Sequence, residues 1–170
     1  MTTLKYFISF CMLLSFTSVT IAQEEAKEEY KAENPGWLVS IDEAYEVSQK
    51  TGKPILANFT GSDWCGWCKK LTAAVFSKPE FIEWAEKNVV LLELDFPRRK
   101  TVPQAIQQQN AGLQQAFKVT GYPSVWVFHL NKDEKKAYQI DALGRTGYRP
   151  SAEEFIQDIE NMKAQRKPKG

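Results

Sequence analysis

Metal ligands are scarce in this chain: one histidine, His129, and three cysteines among 170 residues. A structural zinc site takes four ligands from cysteine and histidine. Beyond Cys65 and Cys68 the supply is Cys11, in an N-terminal apolar segment, and His129, inside an apolar run, so a zinc centre is disfavoured. An excess of one charge is missing too, with 22 Lys and Arg against 21 Asp and Glu. That balance points away from nucleic acid and from strong long-range steering. The basic clusters Arg98-Arg99-Lys100 and Arg166-Lys167-Pro168-Lys169 are short and read as solvated loop and tail. No internal repeat is visible, and no apolar run is long enough for a comfortable membrane span.

What is present begins with a targeting pattern. Lys5 gives a weakly positive start, Tyr6 to Phe16 form an apolar segment, and Thr20-Ile21-Ala22 offers small residues at the right places for cleavage. Residues 1–22 are therefore read as a signal peptide cut after Ala22, with an uncleaved signal anchor as the alternative. Phe10 precedes Cys11, so a lipidated cysteine is disfavoured. The expectation is a periplasmic or secreted protein with no stable membrane insertion once the signal is removed. Removal takes away one charged side chain, Lys5, and brings the basic count level with the 21 acids. The mature chain keeps two cysteines, too few for a disulfide-stapled scaffold.

Those two lie in Trp64-Cys65-Gly66-Trp67-Cys68-Lys69, after the apolar stretch Pro54 to Phe59 and before a helical pattern. A helix start presents unpaired N–H groups and a positive partial charge. Both favour a thiolate, the nucleophile of disulfide exchange. Three residues on, Cys68 shares a helical face with Cys65 and can resolve a mixed disulfide. On spacing alone, an inert structural bridge stays open.

The rest of the chain reads as one domain. Residues 23–36 are charged, without an apolar face, and are taken as a flexible spacer; the domain runs over 37–163, and 164–170 form a basic flexible tail. Ser40 to Glu43 has capping-box form and opens a helix to about Lys50. Ile55 to Phe59 predicts a buried strand. Cys68, Leu71, Thr72 and Val75 continue one helical face, and Pro79 to Asn88 forms a further helix. Val89 to Leu94 predicts a strand buried on both faces. Gln104 to Phe117 is helical, its glutamines a solvated face. Ser124 to Leu130 and Ala137 to Leu143 form an antiparallel hairpin. Ser151 to Glu154 caps a closing helix that puts Phe155, Ile156, Ile159 and Met162 inward.

The motif after a buried strand, with Thr120-Gly121-Tyr122-Pro123 opening a later one, resembles the thioredoxin superfamily over roughly Trp37 to Lys163. The strings Phe59 to Trp64 and Asp95 to Arg99 resemble a bacterial, exported thioredoxin-like subgroup. The resemblance implies an α/β fold with a central mixed sheet of about four strands flanked by helices. It implies a cis Pro123 packed against the disulfide; an ordinary trans proline is the alternative. It also implies roles: Cys65 as exposed attacking thiolate, Cys68 as buried resolving thiol, and Trp64, Gly66, Trp67, Tyr122 and Pro123 as the substrate groove. Tyr122 would offer its backbone to an extended substrate segment. The alternative for Trp64 is a partly core role.

Two departures qualify the resemblance. The intervening pair is Gly66-Trp67, where thioredoxins usually have Gly-Pro and the strong oxidases and isomerases a histidine. Without that histidine a strongly oxidising potential is not expected. Asn58 stands where thioredoxins bury an aspartate, leaving Glu93, Asp63 or water to deprotonate Cys68. The reading is a thiol–disulfide oxidoreductase, reductase or isomerase-like rather than a primary oxidase. It needs no cofactor and no metal; its partners are protein thiols and disulfides and a redox partner of unknown identity. The competing readings are a non-catalytic binding module with a structural disulfide and an exchanger dedicated to one client.

Overall fold

The computed structural model describes residues 30–165. The expected signal peptide over 1–22, residues 23–29 of the expected spacer and residues 166–170 of the expected tail lie outside the described residues.

The apolar run Ile55 to Phe59 becomes the central strand β1 (Ile55–Thr60), buried at every position. β2 (Val90–Asp95) pairs with it in parallel, and β3 (Ser124–Lys132) antiparallel on its other side. β4 (Tyr138–Thr146) completes the hairpin with β3, giving the sheet order β2-β1-β3-β4. β4 runs three residues past the predicted Leu143; its outer half is only partly buried and carries no apolar alternation.

Alternation along β1 divides the core. Ile55, Ala57 and Phe59 face α1 (Ile41–Thr51) and the end of α4 (Gln104–Ala116), meeting Ile41, Ala44 and Phe117. Leu56 faces α2 (Gly66–Leu71), α3 (Pro79–Asn88) and α5 (Ala152–Ala164), in a cluster with Leu71, Phe76, Phe81 and Phe155. The predicted caps form: Ser40 Oγ accepts from the Glu43 N–H at 3.3 Å and Ser151 Oγ from the Glu154 N–H at 3.2 Å. Gly52, at φ 73°, closes α1 in the left-handed region that glycine enters freely. α2 continues into a π-helical turn over Thr72–Phe76, which brings both Val75 and Phe76 into the core.

The spacer assignment needs correction. The sequence pattern predicts a flexible segment over residues 30–36, yet Ala32 packs on the core and Asn34 is only 7% exposed. The physical cause is Glu93. It lies within the apolar strand β2, 2% exposed, and its carboxylate needs donors. The Glu33 N–H supplies one at 2.7 Å, and the Asn34 N–H and Nδ2 supply two more at 3.2 and 2.5 Å. The chain then runs along the outer edge of β2, where Leu38 bridges Leu92 in parallel and covers that edge. Four strands in a mixed sheet with helices on both faces make the thioredoxin fold.

Candidate active site

The turn leaving β1 sets the nucleophile. The Gly61 carbonyl accepts the Trp64 and Cys65 N–H groups at 3.2 and 2.8 Å. That places Cys65 at the N-cap of α2 with extended backbone, φ −82° and ψ 103°, its Sγ accepting the Cys68 N–H at 3.1 Å. Cys65 and Cys68 are joined in a disulfide with Cα atoms 5.3 Å apart. Expected at the surface, Cys65 is 5% exposed against 3% for Cys68. In the disulfide it is therefore buried beside Cys68 rather than exposed.

Aromatic rings bracket the pair. Trp64 is half-buried: its indole N–H donates to the Phe96 carbonyl at 2.8 Å, and its ring meets Tyr122 edge-on at 5.7 Å. It is both a wall of the site and a packed residue. A Cβ on Gly61 would lie 2.4 Å from the Trp64 ring, so the tryptophan needs glycine there. Trp67 is 55% exposed, with Tyr148 edge-on at 5.1 Å. Gly66 is exposed beside it. The Tyr122–Pro123 peptide bond is cis. Tyr122 and Pro123 line a groove of about 470 Å³ with Thr120, Gly121, Arg145 and Gly147. The motif, the 120–123 turn and the 147–148 turn thus form one surface.

A second cavity, about 280 Å³, is lined by Cys68, Thr60, Thr72, Asn34 and Glu93, with the exposed Lys69 and Ala73 at its opening. Asn58 and Glu93 are register partners on β1 and β2. Both share the sheet face with Leu56, the face that α2 covers. Burial pushes the Glu93 carboxyl above its usual 4.5, and the Asp95 charge adds to this against the lowering effect of its Glu33 and Asn34 donors. Tyr30, near the same acids, has its phenol pushed up to about 12, by burial first and then by Asp95, Glu93 and Glu33. Asn58 is 2% exposed and its Oδ1 has no hydrogen-bond donor.

Asp63, the other acid near the motif, turns away from this cavity. Its carboxylate accepts the Arg98 and Arg99 N–H groups, the shortest contact being 2.6 Å. Desolvation works to raise its pKa, but those donors, its own N–H and the Arg99 charge together hold it below 3.8. Tyr148 carries no motif in the sequence, and Arg98 and Gly61 stand there only within longer strings without a role of their own; the turns bring Tyr148 to Trp67, and Arg98 and Gly61 to Trp64. Among the described residues no group of three or more His, Cys, Asp or Glu could hold a metal ion.

A family model for thioredoxin-like domains matches residues 41–163. The disulfide bond reductase DsbH of Chlamydia pneumoniae is 33% identical over 145 residues, covering 82% of each chain. The thioredoxin-related protein DsbJ of the same organism is 31% identical over 78% of this chain and 37% of its own length. The solved structure of a DsbH oxidoreductase superposes with a TM-score of 0.65 at 30% identity, over 82% of this chain and 93% of that one. Fold, paired cysteines and these matches agree: the chain belongs to the thioredoxin-like domain family and is a thiol–disulfide oxidoreductase.

Proposed function

We propose that this protein is an exported reductase or isomerase-like enzyme that exchanges disulfides with protein substrates. In its dithiol form the Cys65 thiolate attacks a substrate disulfide and releases one substrate thiolate. Cys68 then loses its proton and attacks the Cys65 sulfur of the mixed disulfide. That step releases the second substrate thiolate and leaves Cys65–Cys68 oxidised, so two electrons have passed to the substrate. A redox partner returns the pair to the dithiol.

The observation that carries the reading is the Cys65–Cys68 disulfide at the start of α2, set over a cavity that also holds Glu93. A buried carboxyl that lines the cavity with Cys68, its pKa raised by burial, is suited to take the Cys68 proton. Asp63 is not, since it does not line the cavity with Cys68 and its pKa is lowered rather than raised. The name of the DsbH relative, a disulfide bond reductase, favours the reducing direction. The absence of histidine between the cysteines favours it as well. The N-terminal pattern supports export, and no helix among the described residues is long and apolar enough to cross a membrane.

Reduction of insulin disulfides by the dithiol protein tests the proposal. Turnover that disappears in Cys65→Ser is expected. No turnover of insulin or of small disulfides would leave a binding module. Turnover of small disulfides alone would favour an exchanger dedicated to one client.

A further inference from the structure

The Cys65 rim carries five basic side chains, all exposed: Lys69, Lys70, Arg98, Arg99 and Arg145. Two sit on the tryptophans that flank the nucleophile. The Arg98 guanidinium lies 4.0 Å from the centre of the Trp64 ring, and Lys70 Nζ lies 4.3 Å from that of Trp67. Lys69 follows Cys68 and reaches the Asp63 carbonyl at 3.3 Å. Arg145 lines the groove beside Tyr122 and Pro123.

The acids around this rim are committed elsewhere. Asp63 is the one carboxylate within it among the described residues; backbone N–H groups occupy its oxygens, and of the rim cations the Arg99 charge acts on it. Asp95 is buried against Ser62, Glu33 pairs with Lys100, and Asp158 is held by Arg149 and Thr146. None of the five rim cations forms an ion pair with a carboxylate among the described residues. The chain as a whole is nearly neutral, so the excess is a matter of placement. Arg98 and Arg99, read from the sequence as part of a solvated loop, are fixed at the site by Asp63 and Trp64.

We propose that the protein substrates of this site carry their reactive disulfide in an acidic segment, with Asp or Glu within a few residues of the attacked cysteine. Such side chains would meet Arg98 and Arg99 on the Trp64 side, and Lys70 on the Trp67 side, while the cysteine reaches Cys65. The inference rests on the exchange activity proposed above. Charge complementarity of this kind acts mainly on the association rate and is screened by salt.

The test uses three disulfide peptides identical except for Asp, Ser or Lys flanking the attacked cysteine. Reduction rates by the full chain are divided by those with dithiothreitol, which removes the intrinsic effect of the flank. At about 10 mM salt, where screening extends to about 30 Å, the Asp peptide should react about tenfold or more faster than the Lys peptide. At about 1 M salt, where it falls to about 3 Å, the ratio should approach one. Arg98→Glu/Arg99→Glu, which leaves three rim cations against three carboxylates, should bring the low-salt ratio close to one. Equal normalised rates at low salt, with the Ser peptide reduced, would overturn the acidic preference and leave the oxidoreductase reading intact. Failure to reduce even the Ser peptide would overturn both.

Discussion

Glu93 on β2 and Cys68 on α2 line the same cavity. Their relationship gives the first prediction. Glu93→Gln keeps the shape and removes the proton acceptor. Resolution of a preformed mixed disulfide should slow by about 10²-fold, the lower range for a positioned base. Its rate–pH profile should lose the inflection that Glu93 contributes. Stopped-flow measurement across pH 5–9 checks this; an unchanged profile would return the proton to solvent.

The same carboxyl makes stability depend on pH. Its folded pKa is raised above 4.5, so the folded state holds this proton more tightly than the unfolded chain. The contribution is fully present below the unfolded value and is lost as pH rises through the folded one. Urea midpoints of the wild type should therefore fall relative to Glu93→Gln over that window and run parallel to it above.

Asn58 explains itself through its neighbour. An aspartate there would stand at the register partner of Glu93, and two buried carboxylates so placed cannot both ionise. Asn58→Asp should destabilise the protein, increasingly as pH rises. Asn58→Asp/Glu93→Gln should recover much of the loss, because one carboxylate is again alone. Denaturation of the three variants at pH 5 and pH 8 decides it; additive losses would show that the two positions do not interact.

Gly61→Ala tests the wall of the site. The new methyl meets the Trp64 ring, which must turn and give up its bond to the Phe96 carbonyl. Overpacking of this kind costs about 1–3 kcal/mol. A lower melting midpoint, shifted tryptophan fluorescence and altered Cys65 alkylation are expected together. Normal fluorescence with wild-type stability would mean that the turn absorbs the methyl.

The cysteines should part on reduction. Cys65, at the helix N-cap, should be alkylated first at mildly acidic pH, below the ~8.5 of a free thiol. Cys68→Ser should accumulate mixed disulfides on Cys65. The couple should equilibrate with glutathione at about −200 mV or lower. Labelling of Cys68 first would reverse the two roles.

Much of this was legible in the chain because local signals agreed with the fold. Ser40 and Ser151 capped where their hydroxyls stood, Pro79 opened α3, and the run from Ile55 marked the central strand. The two cysteines and Tyr122-Pro123, distant in sequence, named one surface between them. What stayed hidden depends on single polar contacts. The charge of residues 30–36 masks one buried asparagine, and Glu93 in an apolar strand does not announce its donors. The π-helical turn leaves no mark in a pattern of three and four, and Tyr148 reaches Trp67 only through the turn before α5.

The docked segment ahead of α1 bears on where the chain can be cut. The family match begins at residue 41, next to a well-formed cap, and invites a fragment starting there. Such a fragment would lose Leu38 from the edge of β2 and leave Glu93 buried without the donors of Glu33 and Asn34. It would also lack one wall of the cavity under Cys68. A fragment that keeps the Glu93 donors and this wall starts no later than Glu33, and assays on shorter fragments would report on a site that lacks them.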